Sequence, residues 1–318
     1  VEEKPTGELS LAAGVGSDGT VIGGSITENN FLGKGITLDS QLQISQDSIK
    51  GKITYAKPYF NYSDNTLFTS IKSTSEDNLS NYGYKIDTAG FSVGTRIEQL
   101  EKLFFSPEID FTQEDLKTSS LASQNLKKQE GSYSDFYFNY GLDFDTRDST
   151  WNPSKGSMYS FYQKMPIVSD DNEISNTLVL TKYKKLNDQN SMTGKVSLYL
   201  KTVTSLDGSD VRISKRGYIP YSRLRGFQKG KIGPVENNDF IGGNYVSSLN
   251  FSTNLPRLFS TMENLDFSYF VDFANVWGVD YNSTIDDSNK IRSSTGIAMD
   301  IISPIGPLSF SLTKPITK

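Results

Sequence analysis

In SDFYFNYGLDF, residues 134–144, Phe136, Phe138, Tyr140, Leu142 and Phe144 share one parity. Asp135, Asn139, Gly141 and Asp143 share the other, with Tyr137 the one aromatic among them. Such alternation puts apolar residues on one face of an extended strand and polar residues on the opposite face. The pattern recurs. Leu265, Phe267, Tyr269, Val271 and Phe273 alternate with Asp266, Ser268, Phe270, Asp272 and Ala274. Val196, Leu198 and Leu200 alternate with Lys195, Ser197, Tyr199 and Lys201, and Leu308, Phe310 and Leu312 with Ser309, Ser311 and Thr313. About fifteen such strands are predicted by this periodicity. They cover 7–16, 20–29, 35–46, 49–58, 65–74, 85–96, 101–114, 134–146, 156–168, 175–186, 191–204, 243–255, 264–277, 291–302 and 306–314. Many are about ten residues long, which crosses a bilayer when the strand is tilted.

A soluble β-sandwich produces the same alternation. Two features favour an antiparallel transmembrane β-barrel, an all-β fold. The apolar faces are aromatic, and Tyr59, Phe60, Phe104, Phe105, Trp151, Phe259 and Trp277 gather near strand ends, as in interfacial girdles. The longer connections, 73–84, 115–133, 205–242 and 278–290, all follow odd-numbered strands and so fall on one side of a meander. Connections on the other side include the short 186–191 and 303–306, although 147–156 is longer.

Composition narrows function by exclusion. No apolar run approaches the roughly eighteen residues of a spanning helix. The chain has neither Cys nor His, which removes thiolate chemistry, disulfides, Ser-His catalysis and the commonest zinc ligand. Nothing in it supports an enzyme or calls for a cofactor. A net charge of −5 with interspersed signs gives no nucleic-acid footprint. The opening VEEKPTGELS reads as a junction into the first strand. The expectation is one domain over 1–318, cut from a longer precursor.

The connection 205–242 is the longest, and one of that length is functional or disordered. Tyr218, Ile219, Tyr221, Leu224, Phe227 and Ile232 make it too apolar for a solvated tail. Inside a wide barrel it can fold into the lumen. There, in RLRGFQKGKIGP, Gly226 permits close approach or positive φ, Phe227 packs on the wall and Arg225 needs an acid. Asp272 has the lumen-facing parity. The plainer alternative is a routine Arg-Gly turn and a solvated carboxylate, since charges in a wet lumen cost little. In DFDTRDSTWNPSKG, the Asp145, Arg147 and Asp148 cluster with Pro153 and Gly156 reads as a structural turn. SDDNEIS and STIDDSN are acidic loops without EF-hand spacing.

Taken in order, these segments resemble the BamA-type outer-membrane assembly superfamily over nearly all 318 residues. VEEKPTGELSLAAGVGSDG is similar to the junction of the last POTRA repeat with the first barrel strand. FLGKG and KPYF resemble the next landmarks, and DFDTRDSTWNPSKG the family's Asp-x-Arg-Asp…Pro-x-x-Gly turn. LRGF (Leu224, Arg225, Gly226, Phe227) resembles the loop-six motif. KIGPVENNDFIGGN, FVDFANVWGVD and SPIGPLSFSLTKP match the segments that follow. The resemblance implies a 16-stranded barrel, of which about fifteen strands are present here, and it pairs Arg225 with Asp272 as a luminal tether. Three departures stand out: Ala274 in place of Gly, which narrows the space for the loop; Ile219-Pro220 in place of Gly-Gly; and an ending at KPITK, without the final strand or the POTRA repeats.

The implied location is the bacterial outer membrane. The implied function is insertion of unfolded outer-membrane protein clients into lipid, without nucleotide hydrolysis. Accessory lipoproteins would act through the POTRA repeats. The expected seam strand is the first, with Gly7, Leu9, Leu11, Gly14 and Gly16, because its glycines weaken pairing. A TamA-like or two-partner-secretion pore, or a diffusion porin constricted by 205–242, is the alternative.

Overall fold

A computed structural model describes the chain apart from residues 1–5, 17–18, 151, 188–191, 229, 256–264, 281–284, 286–289, 304–305 and 318. Two compact units compose it, one from Val1–Gly141 with Lys164–Asn172, the other from Leu142–Gln163 with Glu173–Lys318. The first carries β1 (Gly7–Gly16), β2 (Gly19–Phe31), β3 (Ile36–Ser45), β4 (Ser48–Lys57), β5 (Thr66–Asn78), β6 (Tyr84–Leu100) and β7 (Leu103–Thr118). Residues of β8 (Gly131–Asp145) and β9 (Gly156–Ser169) belong to both. The second carries β10 (Glu173–Asn187), β11 (Met192–Ser205), the short β12 (Val235–Glu236) and β13 (Asp239–Phe240), β14 (Tyr245–Asn254), β15 (Leu265–Trp277), β16 (Arg292–Ser303) and β17 (Gly306–Thr317). The long strands form a 15-stranded sheet in chain order, with β11 followed by β14 and the β12–β13 hairpin apart. Each predicted segment coincides with one of these strands.

Burial in the first unit is inverted relative to a soluble sandwich. Cross-strand register lines up Leu9, Ile26, Ser40, Ile53, Ile71, Phe91 and Phe111 in one row. Its large apolar members are all exposed, from 43% at Phe111 to 70% at Leu9. On the opposite face Ser70, Ser92, Asp110, Thr112 and Glu114 are buried. Asp110 is paired with Lys72 at 2.9 Å and Lys164 at 3.6 Å, and Lys164 also lies 3.8 Å from the Tyr137 ring centroid. A dry two-sheet centre would show the reverse arrangement. An apolar exterior and a hydrogen-bonded polar face fit a lipid-facing wall, in which the sheet itself satisfies the backbone.

On the polar face, long side chains recline across glycines of the next strand. A methyl on Gly90 would lie 2.5 Å from Lys72 Cε, so the bare glycine opens the path from Lys72 to Asp110. Gly94 likewise receives the Phe68 ring, with Cε2 2.7 Å from where a methyl would sit.

Two connections are shorter than expected. The segments 73–84 and 115–133, expected as connections, are strand at their ends, leaving 79–83 and 119–130. The polar residues pair across the ladder: Lys50 with Glu76, Ser132 with Asp115, Ser75 with Asp87 at 2.5 Å and Ser134 with Gln113 at 2.6 Å. At roughly 3.4 Å per residue, the 17 residues of β6 outreach a hydrocarbon core of about 30 Å even when tilted. Their outer ends therefore meet water and need polar partners. Of the expected girdle, Tyr59 and Phe60 are exposed at a turn, and Trp277 stacks on Tyr245 at 5.7 Å. Trp151 and Phe259 lie outside the described residues.

The outward row gives a test. Ile53→Lys is expected to lose about 2–4 kcal/mol of stability in lipid vesicles, whereas Ile53→Leu stays near wild type. Urea titration of the refolded protein in vesicles measures this. A tolerated lysine would mean that the row does not face lipid.

Candidate functional site

The polar face of the second unit carries a row set by register: Thr181, Ser197, Asn250, Asp272 and Ser294, on β10, β11, β14, β15 and β16. Alternation in LDFSYFVDFANVW turns Asp272 to this face, and it is 0% exposed. An isolated buried carboxylate is untenable, so its partners define the site.

The principal one comes from residues 205–242. The loop is closed at its neck by an antiparallel bridge between Gly217 and Gly243, with N–H···O distances of 2.7 and 3.0 Å. Pro220, with φ −58°, leads into a single 3-10 turn, Tyr221–Arg223, that aims the following residues at the wall. Arg225 donates from Nε to Asp272 Oδ2 and from Nη2 to Oδ1, both at 2.8 Å, and from its backbone N–H to Oδ2 at 3.2 Å. Asn250 Nδ2 donates to Asp272 Oδ1 at 2.9 Å and to the Arg223 carbonyl at 2.6 Å. The guanidinium carbon of Arg225 also lies 3.4 Å from the Phe270 ring centroid. Planar fork, carboxylate and ring face form the geometry arginine suits and lysine cannot reproduce. Arg223 donates to Ser197 Oγ at 2.8 Å and lies 5.0 Å from the Tyr199 ring centroid. Burial depresses its pKa below the ordinary arginine value, opposed by Tyr199. Gly226 has φ +86°, which a residue with a Cβ adopts only at a cost.

Ile219, Leu224, Ile232, Val246, Ala274 and Val276 form an apolar cluster beside the ion pair, with Tyr199 and Phe227 packed against it. Two departures from the family pattern therefore meet in one place. The Ala274 methyl does not obstruct the loop; it is 3% exposed within the cluster. Ile219, where a glycine was expected, packs in the same cluster. A further anchor lies at the neck, where Asp280 accepts from the Val211 N–H at 2.9 Å and Asn244 Nδ2 at 2.7 Å.

Sequence reasoning brought together Arg225 and Asp272 but missed Asn250, Arg223, Phe270 and Asp280. Phe270 carried a signal, being the one aromatic on the polar parity of β15. Asn250 had a weaker one, since only register places it opposite Asp272. The loop also has more internal structure than its sequence pattern indicates, including the β12–β13 hairpin turning at Asn237 and Asn238, both at positive φ.

The other expected positions lie elsewhere. Arg147 chelates Asp145 at 2.7–3.1 Å, and Asp148 accepts from the Ser154 N–H at 2.9 Å, the Ser154 hydroxyl at 2.5 Å and the Lys155 N–H at 3.2 Å. Those bonds, the Ser154 hydroxyl first, lower the Asp148 pKa to about 2. Pro153 sits just before this pair of donors, and Gly156 has φ +104° with Arg147 Cα 2.8 Å from where a methyl would sit. In β1, Gly7, Leu9, Leu11, Gly14 and Gly16 pair with Glu28, Ile26, Gly24, Val21 and Gly19 of β2. β1 and β17 end the strand order.

Comparison with known proteins gives one consistent picture. The Omp85 superfamily domain matches residues 30–318. The outer membrane protein assembly factor BamA of Neorickettsia risticii is 24% identical over 327 residues, covering 100% of this chain and 44% of the relative. That of Neisseria meningitidis serogroup B is 23% identical, covering 99% of this chain and 45% of the relative. The chain thus spans under half the length of these relatives. The crystal structure of BamA from Haemophilus ducreyi lacking POTRA domains 1-3 superposes with a TM-score of 0.89 at 26% identity, over 100% of this chain and 68% of that one. CdiB from Escherichia coli shares the fold alone, with a TM-score of 0.61 at 12% identity over 100% of this chain and 60% of that one.

Removing one partner of the buried pair, by Arg225→Ala or Asp272→Ala, is expected to cost about 3–5 kcal/mol. The double variant should lose clearly less than the sum of the two. Thermal unfolding of the four proteins in lipid gives the cycle, and strict additivity would show that the two residues do not act together.

Proposed function

Because this chain belongs to the Omp85 superfamily, we propose that it is the barrel domain of an outer-membrane assembly factor that inserts and folds β-barrel clients without nucleotide hydrolysis. Its place is the bacterial outer membrane. The observation that carries the reading is the loop 205–242, held to Asp272 through Arg225 and packed with β14 and β15 in one apolar cluster. A loop fixed in this way stiffens the strands beneath it and obstructs a steady pore.

The proposed mechanism places movement at the seam formed by β1. This strand is ten residues long, contains Gly7, Gly14 and Gly16, and ends the strand order. Opening it exposes backbone N–H and C=O groups, which template an incoming client strand by β-augmentation. Leu9 and Leu11, both outward and exposed, keep the seam in contact with lipid. Beyond the longer β2, β3 and β4 are also ten residues long, and a short apolar band thins the bilayer and eases insertion. The turn of Asp145, Arg147, Asp148, Pro153 and Gly156 is structural in this scheme. In this scheme accessory lipoproteins act through POTRA repeats.

A TamA-like role or a two-partner-secretion pore uses the same fold, and a porin would use the loop as a constriction. Reconstitution of the full-length protein with an unfolded barrel client separates them. Wild type is expected to accelerate client folding, and Asp272→Ala to lose most of that acceleration. Single-channel recording should show poor or flickering conductance; a large steady conductance without client folding would rule in favour of a porin.

A further inference from the structure

The loop tip reaches beyond the strand that holds Asp272. Register places Phe270 of β15, Gly296 of β16 and Thr313 of β17 side by side on the loop-bearing face. The Phe270 ring, which carries the Arg225 guanidinium, extends over Gly296. A methyl there would lie 2.9 Å from Phe270 Cζ and 3.0 Å from Thr313 Cα. Gly226 in turn rests on Thr313, for a methyl at Gly226 would come 2.6 Å from Thr313 Oγ1 and 3.0 Å from its Cβ. Arg225 and Gly226 thus span three adjacent strands.

We propose that Thr313 is a positioning residue, through which the tip of loop 205–242 fixes β17, with Gly296 supplying the room that lets the contact form. β17 pairs with β16 along its length. How readily a strand opens locally depends on what besides the ladder holds it. The contact between Gly226 and Thr313 supplies that hold from the face rather than the edge. It is a contact of shape: the β-branched side chain fills the notch left by a glycine whose φ of +86° disfavours other residues. A firm β17 gives the proposed insertion cycle a stretch of wall that keeps its register while β1 moves. The inference deepens the assembly reading, but its test does not depend on clients.

Hydrogen exchange read by mass spectrometry on the full-length protein in nanodiscs provides the test. Arg225→Ala, which frees the tip, and Thr313→Phe, which displaces it while keeping Arg225 and Asp272, should each speed exchange across 309–317 by about tenfold. Exchange in β6 should not change. Thr313→Val keeps the shape and should exchange as wild type does. Thr313→Ala, which leaves a gap without adding bulk, should follow Thr313→Phe and covers the case in which the larger residue prevents folding. Unchanged β17 exchange in Arg225→Ala, or equal acceleration from β10 through β17, would overturn the proposal. Loss of client folding with β17 exchange unaltered would overturn it while leaving the assembly reading intact.

Discussion

Burying the Asp272 carboxylate is tolerable because it accepts four hydrogen bonds, three from Arg225 and one from Asn250. The same contact determines how a long, partly apolar segment lies on a polar wall. An apolar cluster alone would hold the loop without fixing its register, since such packing is not directional. The fork of Arg225, set against both carboxylate oxygens and over the Phe270 ring, supplies the direction. The cluster around Leu224 and Ala274 packs beside the pair and shields its carboxylate side.

Much of the fold was legible in the sequence because one physical rule dominates it. A two-sided strand writes a period of two, and SDFYFNYGLDF and LDFSYFVDFANVW carry it with few exceptions, Tyr137 and Phe270 among them. The orientation of Asp272 followed from parity alone. Strand ends were less legible. STSEDN and QEDLKT have the composition of loops, and their extended state rests on partners in neighbouring strands, such as Asp87 for Ser75 and Ser132 for Asp115. Asn250 was hidden for the same reason. Its role depends on pairing between β14 and β15, which no periodicity within either strand specifies. The path of the loop was hidden most deeply, since it arises from Pro220, the turn at Tyr221–Arg223 and the left-handed Gly226 acting together.

Departures from the family pattern become intelligible as a pair. A methyl at Ala274 and a branched side chain at Ile219 would each crowd a loop that lay flat on glycines. In this chain both belong to one cluster, with Val276 and Val246. Added bulk at the wall is matched by added bulk in the loop, so the tether stays seated while its packing differs. The two positions act as one unit, and exchanging either alone for the expected glycine would leave a gap lined by the other.

Gly90, Gly94 and Gly296 share an arrangement in which a large side chain from the preceding strand lies across a bare backbone. Hydrogen bonds tie each strand only to its immediate neighbours, whereas Lys72 bridges from β5 to β7 and Phe270 leans toward β17. A wall built this way resembles a woven fabric more than a row of planks, and its stiffness is graded locally by where the cross-threads fall. Exchanging a glycine and its overlying residue together offers a means of softening one patch of the wall while the ladder stays as it is.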